Sequence, residues 1–81
     1  MKVGGMVYHI RFKRGEEVFN IRIWKIPYEQ RAIVRVGQKE AIFKFTKEGA
    51  EQIDGEKFPT EMEDTIKSAI MKYLFNSRIH K

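Results

Sequence analysis

From Met6 to Thr46 the chain alternates apolar and polar residues almost without a break. A period of two is the mark of strands with one buried and one solvated face. Turn residues cut this stretch into four predicted strands. The first, 6–13, sets Met6, Tyr8, Ile10 and Phe12 on one face and Val7, His9, Arg11 and Lys13 on the other. In the second, 17–26, Phe19, Ile21 and Ile23 oppose Val18, Asn20, Arg22, Trp24 and Ile26. In the third, 31–36, Ala32, Val34 and Val36 oppose Arg31, Ile33 and Arg35. In the fourth, 40–46, Ala41, Phe43 and Phe45 oppose Glu40, Ile42 and Lys44. Gly15 and Gly37 suit tight turns that need positive φ, and Pro27 ends the second strand because it cannot donate a ladder hydrogen bond. Pro27-Tyr28-Glu29-Gln30 reads as a turn or one short helical turn.

The period changes near Thr60. At ~100° per residue, Met62, Ile66, Ala69, Ile70, Tyr73 and Leu74 fall on one stripe, which predicts a helix over 61–75. Thr60 with Glu63 three residues on has capping-box spacing, and Glu61, Glu63 and Asp64 suit the positive helix end. Met71 and Phe75 fall nearly opposite the stripe. Asn76-Ser77 is the expected helix end. Between sheet and helix, 47–53 reads as a short helix capped by Thr46 and anchored by Ala50 and Ile53, or as a further hairpin strand through Ile53. The expected fold class is therefore α+β. A four-stranded antiparallel sheet carries a C-terminal helix on one face, in a single small domain over 1–81 with flexible ends at 1–4 and 78–81.

Charge sharpens this picture. The net charge is +5. Residues 1–47 carry 11 Lys/Arg against 4 Asp/Glu, whereas residues 48–81 carry 5 against 7. The predicted sheet is thus the basic part, and polyanions are its natural partners. With no cysteine, disulfides and thiolate metal sites are excluded, which fits a cytoplasmic location. No apolar run approaches the ~18 residues of a membrane span, and the Gly-rich start is too short for a signal peptide.

No pattern of catalytic chemistry emerges. His9 and His80 are isolated, so no metal site is expected. The carboxylates at 54–64 are accounted for by loop solvation and helix-end charge. The glycines form neither GxGxxG nor a Walker pattern, and no cofactor is implied. The expectation is a non-enzyme.

The outward sheet face is what remains. It carries His9, Arg11, Lys13, Arg22, Trp24, Arg31, Arg35 and Lys44. Arginines pair with phosphates, and a tryptophan stacks on bases or wedges between them. The expected function is non-catalytic binding of DNA or RNA. The alternative is a small regulatory or inhibitory module that docks a protein through the same face, since Trp and Arg are also enriched in protein hot spots. Met71 and Phe75, four apart on one helix ridge, suggest a homodimer contact.

Two local patterns resemble known families. Phe12-Lys13-Arg14-Gly15-Glu16-Glu17 resembles the first hairpin of the small chromatin proteins of thermoacidophilic archaea. Arg35-Val36-Gly37 followed by Phe43-Lys44-Phe45-Thr46 is similar to their second, and a C-terminal helix follows in both. That resemblance implies a sheet face that binds duplex DNA in the minor groove. The strand spacing departs from theirs, the helix is longer and acidic residues concentrate late. Phe45-Thr46-Lys47-Glu48-Gly49 resembles the junction from wing strand to helix in winged-helix regulators, over about five residues.

Overall fold

A computed structural model describes residues 7–75. Met6, the lead-in 1–5, the expected helix end at Asn76-Ser77 and the tail 78–81 with His80 lie outside the described residues. Five strands follow one another as an antiparallel meander: β1 (Val7–Arg14), β2 (Glu17–Lys25), β3 (Arg31–Val36), β4 (Lys39–Thr46) and β5 (Gly49–Gly55). A helix α1 (Thr60–Ala69) then runs without interruption into a π-helical stretch, Ile70–Phe75. The α+β class and the helix-on-sheet arrangement are as expected. The sheet has five strands instead of four.

Alternation fixes the register. Ile10 faces Ile21, Ile21 faces Val36, Ile23 faces Val34 and Val34 faces Ala41. A slip of one residue would turn each of these rows out to solvent. The hairpins β1–β2 and β3–β4 close through two-residue turns, Gly15-Glu16 and Gly37-Gln38. Each has positive φ at its glycine alone, 64° and 63°. A glycine at the first of two turn positions matches the right-handed strand twist.

The fifth strand decides between the two readings of 47–53, in favour of the further hairpin strand and against the short helix. Thr46 Oγ1 does accept a hydrogen bond from the Glu48 N–H (3.1 Å), but inside the β4–β5 turn. A threonine makes this short-range bond in a turn as readily as at a helix cap, so its sequence signature is shared. Phe45-Thr46-Lys47-Glu48-Gly49 is accordingly a hairpin turn, not a strand-to-helix junction. Alternation along β5 is broken by a bulge. Ile42 faces Asp54 and Phe43 faces Gln52, which leaves Ile53 as the extra residue. The Gln52 side-chain amide holds this irregular end by donating to the carbonyls of Asp54 (3.1 Å) and Glu56 (2.7 Å).

The core lies between the inner sheet face and the helix. Ile21, Ile23, Val34, Phe43 and Phe45 are buried from the sheet, and Met62, Ile66, Ala69, Ile70 and Leu74 from the helix, with Phe58 closing one end. Two helix details differ from expectation. The N-cap position is Pro59, whose carbonyl accepts from the Glu63 N–H (2.8 Å), and no side chain caps the helix. Thr60 is already helical, and the Glu63 carboxylate pairs instead with Lys67 at 3.4 Å.

The second detail is the π-helical end. Each residue of a wider turn advances less around the axis than in an α-helix, so the face drifts back toward the sheet. Phe75 and Met71 are consequently half-buried against the core, with the Phe75 ring edge-on to Phe45 at 6.4 Å. They do not form the outward ridge on which the dimer expectation rested. Tyr73, expected on the core stripe, is partly exposed and stacks on Tyr8 at 5.2 Å.

Two predictions test this packing. Ile70, fully buried, should cost roughly 2–5 kcal/mol when changed to alanine, and a loss below ~1 kcal/mol in denaturant unfolding would place the helix wrongly. At Gly55, φ is 101° and a Cβ would collide with the backbone of Ala41 and Glu40. Gly55→Ala should cost roughly 2–4 kcal/mol from positive φ and overpacking together. Gly37→Ala, with open space around it, should cost distinctly less.

Candidate nucleic-acid interface

The eight predicted contact residues all lie on strands, and strand pairing sorts them into rows across the outer face. The central row is apolar: Val7, Trp24, Ile33 and Ile42 face one another in turn from β1 to β4, all half-buried. One step along the strands, His9, Arg22, Arg35 and Glu40 form the next row. On the other side of the apolar row, Arg31, Lys44 and Glu51 form a third. Arg11 and Lys13 extend the basic surface along β1, opposite Asn20 and Val18.

Trp24 sits at the centre of this arrangement. The guanidinium groups of Arg35 and Arg22 lie 5.4 and 5.9 Å from its ring centroid, within range of cation–π attraction. The indole is half-buried on the outer face, so it is a flanked platform more than a projecting wedge. Its neighbours on the row supply the apolar surroundings, and the two arginines lock its flank.

The cations are unequal. Arg31 pairs with Glu29 at 3.7 Å, Arg35 with Glu40 at 3.3 Å and Lys44 with Glu51 at 3.5 Å. Such exposed pairs contribute little stability, but each carboxylate offsets a positive charge locally. Among the described residues Arg11, Lys13 and Arg22 have no carboxylate within ion-pair distance. The face therefore grades from uncompensated positive charge on β1 and β2 to near balance at β4 and β5.

Sequence reasoning missed the source of that gradient. Glu51 and Asp54 reach the outer face only because 49–55 is a strand. It also missed Tyr28, which is fully exposed in the β2–β3 loop at φ 65°. Positive φ is unusual for a bulky residue, and a turn tetrapeptide gives no signal for it. A cleft of about 570 Å³ is lined by Phe19 and Arg22 of β2, Gly37 and Lys39 at the next turn, and Phe58 and Met62.

Among the described residues no cluster of three or more potential metal ligands occurs. No helix there is long and apolar enough to cross a membrane. No protein-family model, curated protein or solved structure matches the chain.

The geometry around Trp24 has a direct readout, because the chain has one tryptophan. With two guanidiniums beside the indole, anionic iodide should quench its fluorescence more strongly than cationic caesium. The Arg22→Gln/Arg35→Gln double variant should lose most of that preference. Equal quenching of the wild type by the two ions would mean that the arginines do not flank the ring.

Proposed function

We propose that this chain is a non-catalytic nucleic-acid-binding protein that grips DNA or RNA with the outer face of β1–β3. One observation carries the reading: Trp24 lies in an apolar row with Arg22 and Arg35 against its ring, and Arg11 and Lys13 continue the positive face further along β1. Arginine and lysine pair with the phosphate backbone. The half-exposed indole face accepts a base by stacking, which every base allows. Little base preference follows, because charge and stacking dominate the surface. A cytoplasmic location fits the lack of cysteine.

A protein-docking module is the second reading. It is favoured by the apolar row itself and by the three ion pairs that reduce the net positive charge. Self-association through Met71 and Phe75 is a separate matter, and their packing on this chain's own core takes away its main support.

Labelled DNA and RNA titrated at two salt concentrations distinguish the readings. With three or four phosphate contacts, affinity should fall roughly 20–150-fold between about 50 and about 200 mM salt. Trp24→Ala should weaken binding at least severalfold while leaving the fold intact, and Arg11→Ala should reduce the salt slope by about one. No binding of either nucleic acid at low salt would reject the proposal in favour of a protein partner.

A further inference from the structure

The two edges of the sheet are built differently. At one edge β5 is bulged at Ile53, ends in glycines at Gly49 and Gly55, and displays Glu51 and Asp54. A bulge closes an edge to further pairing, whereas charges on a regular edge strand restrict it to strands of opposite sign. At the other edge β1 is a regular strand of eight residues, with neither bulge nor glycine nor proline within it. Among the described residues no strand pairs with its outer side. Its two faces have opposite chemistry. Tyr8, Ile10 and Phe12 are half-buried at the margin of the core, whereas His9, Arg11 and Lys13 are exposed.

We propose that the β1 edge accepts an extended peptide strand of a partner protein in which acidic and apolar residues alternate. Main-chain hydrogen bonds to an open edge supply affinity, and the alternate side chains supply specificity. An incoming strand of this pattern would cover Tyr8, Ile10 and Phe12 with its apolar residues. Its carboxylates would fall opposite Arg11 and Lys13. Cross-strand pairs of opposite charge stabilise a sheet, and like charges directly opposite destabilise it.

The same rule disfavours a second copy as occupant. In a two-fold antiparallel pairing, residues of the same face oppose one another. The central registers then set Arg11 against Arg11 and His9 against Lys13, or Arg11 against His9. The basic residues thus act as a filter, admitting acidic strands and rejecting the chain's own edge. The edge shares Arg11 and Lys13 with the proposed nucleic-acid face but does not use Trp24, and its main-chain pairing does not depend on the nucleic-acid reading.

The test uses the whole chain and a synthetic peptide that alternates glutamate with valine and threonine, followed by amide NMR. The expected result is shift changes centred on β1 and slowed hydrogen exchange of its outward-facing amides. N-methylation of the peptide amides on one edge should abolish the effect, and a lysine-for-glutamate peptide should not bind. Arg11→Glu/Lys13→Glu, on an exposed edge that tolerates charge, should weaken binding roughly 5–30-fold. Trp24→Ala should leave it unchanged, which separates strand pairing at this edge from binding at the Trp24 ring. Absence of binding, equal binding of the N-methylated peptide, or shift changes centred on β5 would overturn the proposal. So would sedimentation as a dimer in which β1 amides are already protected.

Discussion

Everything in this small domain depends on covering one face of one sheet. The meander supplies an unbroken apolar surface from Ile21 and Ile23 through Val34 to Phe43 and Phe45, and a single helix is its lid. Burying these side chains stabilises the fold by roughly 1.5–3 kcal/mol for each large one. That gain has to offset the conformational entropy of an 81-residue chain. A lid of this length leaves little surplus. The widening of the last turns brings Leu74 and Phe75 onto the sheet, where a continued α-helix would have carried Phe75 away from it. The π-helical end can be understood as the local deformation that lets one helix cover the sheet.

Covering the inner face leaves the outer face free to specialise. Since side chains alternate strictly, the register that buries Ile21, Ile23 and Val34 also aligns Arg22 with Arg35 and Trp24 with Ile33 on the other side. The core therefore positions the candidate site. Position on the sheet further determines which cations remain uncompensated. Arg35 and Lys44 meet Glu40 and Glu51, whereas Arg11 and Lys13 face Asn20 and Val18, and Arg22 lies between His9 and Arg35. A polyanion or an acidic partner would be drawn to the β1–β2 side first.

The legible parts of the structure were those written in periodicity. Four strands and the buried helix stripe follow from apolar spacing, because burial leaves a residue-by-residue record. The elements that sequence reasoning left open or misplaced have no such record. β5 holds one half-buried alanine, a glutamine and a bulged isoleucine, so its alternation is faint and then broken. Thr46 carried a cap signal that a turn shares. Thr60 and Glu63 carried capping-box spacing, but the helix starts one residue earlier, with Pro59 at the N-cap and no side-chain cap. The phase of Met71, Tyr73 and Phe75 was computed for an α-helix and fails where the helix widens. For the site, the outward parity of all eight residues was readable from the strands. Of the ion pairs, charge offset by Glu40 was readable from its place on β4, whereas the pairs of Arg31 with Glu29 and of Lys44 with Glu51 depend on the loop and on β5.

The central claim is that the outer face, with Trp24 at its middle, is where the chain meets nucleic acid. Tryptophan emission during addition of a short unlabelled oligonucleotide tests this most directly, as no other tryptophan contributes. Quenching that saturates at low salt and is reversed by added salt is the predicted result. Saturable binding, shown independently by the mobility of the complex, with Trp24 emission unchanged would contradict the account and place the contact elsewhere on the molecule.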